Sequence, residues 1–519
     1  MHRTTRVPPN PTSPSVPVDN APLAKGKTKP TRPATAASRA KSGASTQGKA
    51  QTQTQAKPTA KAKPTAKAKA KPKKRPGKRK HSPKQSSARH TRAIQRDRSK
   101  RPLVAPPPAQ IEQQLRELIH PATLDQVAYY HSLGLRQRLL TLPVMVAVVV
   151  SLLWRQIGGV RELARTLKRE GFLWSSPVRV SPQALDERLR VLPAELFLRI
   201  LTAVLPQLQA RFAARTRPLP PVVAWARERY EAVLVADGST LDALLRKVGL
   251  LRDAAKHPLA GRMLALLDLA SQLPQNVWYD PDPKGHDLRF WPQLKAALPK
   301  GALLLFDRGF TDFARFLELT EAEVTWIIAA KANLVFTVAA VLARGPQLEE
   351  SLGWIGSGAN RQQVRRVRVL VRGQWLAYLT NEWDPQRLPA PELVGLYRHR
   401  WRIEEAYATV KRLLGLAYFW VGSENGVQLQ VWATWLLYAV LIDLTDAVAE
   451  ELQQPLAALS VEMVYRSIYH FAQAVQRGVA DDVVAYLAAE ARDLGVLKAK
   501  RRARPPAADW PALTLPALA

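Results

Sequence analysis

Two stretches decide how this chain folds: YEAVLVADGST, Tyr230–Thr240, and GALLLFDRGF, Gly301–Phe310. Each is a short aliphatic run that ends in an aspartate, with a glycine one or two residues further on. A brief apolar run bounded by polar turn residues reads as a strand buried on both faces, since it is too short for a core helix. Asp237 and Asp307 then stand at strand ends, where a carboxylate is rigidly aimed. Taken singly, each Asp-Gly pair also reads as an ordinary turn.

Working outward, MLALLDLAS (Met263–Ser271) and NVWYD (Asn276–Asp280) look like further strands, and LRFWPQLKAAL (Leu288–Leu298) like a helix. VTWIIAAKA, VRRVRVLV and QWLAYLTNEW, between Val324 and Trp383, continue in strand fashion around a Gly-rich break, GWIGSGAN. Helical periodicity resumes at PELVGLYRHRW and runs through VWATWLLYAVLIDLTDAVAEEL, so the middle of the chain is mixed α/β with a helical close. Before it, residues 109–221 are helical in pattern, as in QIEQQLRELI and SPQALDERLRVLPAELFLRILTAVLPQL, where Ser181 can cap and Pro182 can take the first helical position. This segment is long enough to hold a DNA-reading helix.

Residues 1–108 are built of Lys, Pro, Ala, Thr and Ser with too few large apolar residues to offset chain entropy, and are expected to be disordered. The formal charge of the chain is +35, of which about +26 lies before Pro102, so polyanions are the expected partners. The 519 residues include no cysteine, which excludes disulfides, thiolate metal sites and thiol nucleophiles. The first twenty residues lack the apolar core of a secretory signal. The apolar run LLTLPVMVAVVVSLLW (Leu139–Trp154) is interrupted by Thr141, Pro143 and Ser151 and falls short of the roughly 20 residues a bilayer needs. It reads as a core helix of a protein without a membrane partner.

A third stretch, YRHRWRIEEAYATVK (Tyr397–Lys411), carries the chemistry. On one continuous helix at about 100° per residue, Arg400, Glu404 and Lys411 fall within an arc of about 60° beside Tyr397. The four lie along the rim of a buried stripe made by Leu396, Ile403, Tyr407, Val410 and Leu414. Arg400 and Glu404 alone could be a plain i, i+4 pair. Together, Asp237, Asp307 and Glu404 supply the oxygen ligands that hard cations such as Mg²⁺ prefer. Two ions roughly 4 Å apart suit in-line phosphoryl transfer. Arg400, Lys411 and Tyr397 would grip the substrate's phosphates.

These residues resemble the DDE transposases of the insertion sequence four family. Tyr397, Arg400, Glu404 and Lys411 fit that family's Tyr-x2-Arg-x3-Glu-x6-Lys signature without a gap, and Asp237 in ADGST and Asp307 in FDRGF match its two aspartates in order and context. The likeness covers about residues 110–470 and leaves out the basic arm. It implies a ribonuclease-H-like catalytic core at 222–440 with a mainly β insertion at about 324–389, preceded by the helical domain and followed at 441–519 by a helical section and basic tail. It further implies two Mg²⁺ ions, replaceable by Mn²⁺, and catalysis and metal ligation by Asp237, Asp307 and Glu404. DNA contacts would come from Tyr397, Arg400 and Lys411. Double-stranded DNA, both element ends and target, is the implied partner, a dimer forms on it, and the bacterial cytoplasm and nucleoid are the expected location. Relatives flip a base out of the element end and stack it on an aromatic ring; Trp401 is the candidate for that contact, or else packs in the core.

Asp268, Asp280, Asp282 and Asp287 read as solvated loop residues, and His257 and His286 lack metal-ligand spacing. Glu405 lies about 100° off the line of functional groups. Two other readings remain open at this level: an inactive, DNA-compacting derivative, and a nuclease that cuts without strand transfer.

Overall fold

The computed structural model describes residues 109–135, 138–241, 261–416 and 423–498. The arm at 1–108, with the disorder expected of it, and the basic C-terminal tail lie outside these, as does His257. The described chain is mixed α/β, built on one large sheet. Its strands are β1 (Val233–Thr240), β2 (Arg262–Asp268), β3 (Pro274–Asp280), β4 (Leu303–Phe306), β5 (Thr325–Ala329), β6 (Thr337–Arg344), β7 (Leu348–Ile355), β8 (Gln362–Val371) and β9 (Gln374–Thr380). They lie in the order β3-β2-β1-β4-β5-β9-β8-β7-β6. Only the central trio is parallel: β1 pairs with β4 and β4 with β5, while every other ladder is antiparallel.

The aliphatic runs of the two opening stretches become β1 and β4 because a parallel strand is covered on both faces and cannot alternate with polar residues. Val233 and Val235 face one apolar core and Leu234 and Ala236 the other. Each fully buried side chain of this kind contributes roughly 1.5–3 kcal/mol.

The larger core joins that face of the sheet to the helices on either side of it in sequence. Its axis is the helix Glu424–Glu451, packed against Glu195–Ala214 from the N-terminal segment. A cluster of charges reinforces the contact: Arg211 and Arg215 pair with Asp443, and Arg215 and Arg217 with Asp446. Ser181 accepts a hydrogen bond from the Ala184 N–H and Pro182 opens its helix, as the sequence suggested. The run around Met145 forms the helix Leu142–Trp154, nearly all of it buried. Among the described residues, Glu424–Glu451 is the one helix long and apolar enough to cross a bilayer, with a mean hydropathy of 1.5, and 89% of that apolar window is buried inside the protein.

The signature stretch departs from the single helix expected of it. One helix runs Ala390–His399, a second Arg402–Ala408, and Thr409–Leu413 is a π turn. At the junction the backbone tightens, with Arg400 N–H bonding Tyr397 O and Glu404 N–H bonding Trp401 O; later it widens, with Leu414 N–H reaching back to Thr409 O. A tightened turn followed by a widened one shifts the facing of side chains in opposite senses. Arg400 and Lys411 are thereby aimed differently from an ideal wheel.

Candidate active site

The pairing of β1 with β4 runs from Val233↔Leu303 to Ala236↔Phe306 and stops there. Asp237 and Asp307 are the next residues on each strand, so two neighbouring parallel strands deliver their carboxylates side by side. Their settings are not equivalent. Asp307 leaves β4 into the short 3-10 turn Arg308–Phe310, whereas Asp237 stays within β1, paired with Ala265 of β2. Gly238 is therefore no turn residue: it is a strand residue opposite Leu264.

The third acid arrives from the far end of the sequence. Glu404 lies in the first turn of the Arg402–Ala408 helix and accepts a hydrogen bond from Arg400 Nη2 at 3.1 Å. The same guanidinium sits 3.7 Å from Asp237 Oδ2 and 3.9 Å from Asp307 Oδ1. Arg400 is only 6% exposed, and its Nε and Nη1 make no hydrogen bond among the described residues. Three carboxylates thus surround one buried cation, which offsets their mutual repulsion.

Burial raises the Asp237 carboxyl from its ordinary 3.8 to about 7; Asp287 and Asp307 add to the shift, while Arg400 and the Gly238 N–H act against it. Burial likewise pushes the Tyr397 hydroxyl up to about 12, and its ring packs 5.0 Å from that of Tyr378. Tyr397 stands beside the acids through Arg400, whose guanidinium is 5.8 Å from its ring centre. Lys411 instead holds the end of β1, donating to Thr240 O at 3.0 Å and to the Ser239 hydroxyl. Trp401 is 61% exposed and lines a cavity of about 520 Å³ with Arg398, His399, Arg402 and Glu405. Core packing is thus not its role. Glu405 pairs with Arg402 and Lys498, away from the acids.

Among the described residues no three His, Asp or Glu side chains are gathered closely enough to form a ready-made metal cage. The donor chemistry nonetheless fits a hard divalent cation: the three acidic groups around the guanidinium are all carboxylates, and the space between them already holds positive charge.

Several contributors escaped the sequence reading. Tyr407, taken there for plain core, donates its hydroxyl to the Asp237 carbonyl and accepts the Ala265 N–H at 3.0 Å, stitching β1 to β2 at the Asp237 pair. Asp287 is no solvated loop residue. It is clasped by Arg262 and packed against Gly238. Asp268 also serves locally, closing the β2–β3 turn by accepting from Ser271, and Asp280 and Asp282 pair with Arg289. His286 caps the turn Asp287–Phe290. No periodicity marks Tyr407 and Asp287, because the segments they meet at Asp237 and Gly238 are dozens of residues away.

Residues 233–440 match the family model described as the transposase DDE domain. The match opens on the first residue of β1 and takes in both aspartates, Glu404 and Lys411. A Sinorhizobium fredii protein named "Putative transposase y4zB" is 26% identical over 158 residues, 28% of this chain. The chain spans less than half of that relative, 43% of its length. Over β1 to the long C-terminal helix this protein is thus similar to a transposase DDE domain.

Proposed function

We propose that the protein is a transposase that binds the ends of a mobile DNA element, cleaves them in a metal-dependent reaction and joins the freed ends to target DNA. The observation that carries this reading is the gathering of Asp237, Asp307 and Glu404 around the single guanidinium of Arg400. The parallel trio β1-β4-β5, flanked by antiparallel β2 and β3, is the arrangement a ribonuclease-H-like core calls for, and β6–β9 lie in sequence between the second aspartate and the glutamate, where the family's insertion belongs.

Asp237, Asp307 and Glu404 would hold two Mg²⁺ ions, or Mn²⁺ in their place. When bound, the ions supply an activated water or 3′-hydroxyl nucleophile and charge neutralisation at the phosphorus. The chain's own residues do the rest. Burial opposes the ionised form of Asp237, so bound cations would favour its deprotonated state. Arg400, released from the carboxylates, is the nearest donor for a backbone phosphate. Tyr397 stacks beside it and limits its swing. Lys411 fixes the strand that carries Asp237 and, with Arg400 and Tyr397, is a candidate for contact with a backbone phosphate. Trp401, exposed above a cavity with Arg398 and Arg402 on its wall, offers a face to an unstacked base. The basic arm adds sequence-independent attraction to DNA, and two copies meet when two ends are synapsed on the nucleoid.

The test is cleavage and strand transfer of DNA carrying the neighbouring element's ends, with Mg²⁺, for the wild type and Glu404→Gln. Activity lost in a variant that still binds those ends supports the reading. Cutting without joining would make the protein a nuclease, and binding without cutting by either protein would make it a DNA-compacting relative.

A further inference from the structure

Among the described residues, the strand end that carries Asp237 has a strand partner on one edge alone. Beyond Ala236 the ladder to β4 has ended, and Asp237–Thr240 is paired with β2. Adjacent strand residues point to opposite faces, hence the side of β1 behind the Asp237 carboxylate is the Gly238 side. At Gly238 that side is occupied by the Asp287 carboxylate. A Cβ at Gly238 would lie 1.7 Å from Asp287 Oδ1 and 2.2 Å from its Cγ, so only glycine admits the Asp287 carboxylate there. Asp287 opens the 3-10 turn Asp287–Phe290, whose Phe290 and the following Trp291 are anchored in the smaller core.

Arg262 completes the brace from β2. It takes both oxygens of Asp287, Nη2 to Oδ2 at 2.7 Å and Nε to Oδ1, and its Nη1 reaches the Thr240 hydroxyl at 3.2 Å. Both side chains are largely shielded, at 20% and 14% exposure, so the bidentate pair is a fixed strut rather than a loose surface contact. On the other face Tyr407 and Lys411 hold the Asp237, Ser239 and Thr240 backbone and side chains. The end of β1 is clamped from both sides, and the strut sits one residue from the acid.

Resting on the transposase reading, we propose that Asp287, locked by Arg262 against Gly238, is a positioning residue that sets the direction of the Asp237 carboxylate toward the cations and the DNA phosphate. It touches neither. Its effect passes through the Gly238 backbone.

The experiment uses the full chain with three variants, Asp287→Asn, Gly238→Ala and Gly238→Ala combined with Asp287→Ala. Mn²⁺ binding is read by calorimetry, strand transfer on the element ends by kcat and KM, and folding by thermal denaturation. Asp287→Asn keeps the shape and breaks the bidentate charge pair. It is expected to weaken Mn²⁺ binding and lower kcat by roughly tenfold to a hundredfold, with KM for DNA near wild type. Gly238→Ala expels the carboxylate and is expected to lose folding as well. Adding Asp287→Ala makes room for the new methyl and raises the melting temperature above that of Gly238→Ala alone, but leaves kcat and Mn²⁺ affinity low. Wild-type Mn²⁺ affinity and kcat in Asp287→Asn, or full recovery of both in the double variant, would overturn the proposal. A wild type that binds Mn²⁺ in an Asp287-dependent way yet fails to cut would leave the strut standing and count against the transposase reading instead.

Discussion

Replacing Asp237 by asparagine should stabilise the cation-free protein, and by more as the pH rises. The native carboxyl is raised from 3.8 to about 7, chiefly by burial, so between these values the folded state binds a proton that the unfolded state has released. Stability of the wild type therefore falls as the pH climbs through this window, and the loss is complete above the folded value. About three pKa units at 1.36 kcal/mol each set the ceiling near 4 kcal/mol. Asparagine fits the same space and carries no charge, so the variant escapes this penalty and keeps a donor and an acceptor for its neighbours. Arg400 loses one of three carboxylates and retains Asp307 and Glu404, which limits the offsetting cost. The assay is urea denaturation of both proteins in EDTA at pH 5, 6, 7 and 8. The variant's advantage should be smallest at pH 5 and grow by roughly 2–3 kcal/mol to its largest value at pH 8. A gap that does not change with pH would refute the argument that burial controls this carboxyl.

Two further outcomes follow from other parts of the molecule. Asp446→Ala removes the partner of Arg217 at a site where Asp446 is 1% exposed, leaving a buried guanidinium unpaired; unfolding free energy should drop by about 3–5 kcal/mol, and a loss below about 1 kcal/mol would show the cluster to be well hydrated. Trp401→Ala should leave stability within about 0.5 kcal/mol, because the ring is mostly in solvent, while slowing the reaction of element ends; unchanged end processing would free Trp401 from any role with DNA.

Much of this was legible in the residues. The aliphatic runs before Asp237 and Asp307 carry a strand signal strong enough to survive without context, because a strand buried on both faces must be apolar throughout. The spacing of Tyr397, Arg400, Glu404 and Lys411 likewise brought out a line of functional groups. What the wheel could not show was the tight turn at Arg400 and the wide one after Ala408, since departures from 3.6 residues per turn are set by packing and leave no periodic mark.

The sequence by itself determined the mixed α/β class of the fold, the three candidate acids and the strong positive charge of residues 1–101, all of which depend on residue type and near-neighbour spacing. Only the tertiary structure decided which groups meet. Asp237 and Asp307 are adjacent because a parallel ladder ends at Ala236↔Phe306, Glu404 joins them across nearly a hundred residues of chain, and Arg400 sits buried among all three. Gly238 and Asp287 make the point most sharply. An Asp-Gly pair reads as a turn and a loop aspartate as a solvated one, yet in the fold the glycine lies in a strand with no side chain so that the distant carboxylate can rest against it. Contacts between segments that far apart are fixed by the excluded volume and buried charge of the assembled sheet, which no local pattern encodes.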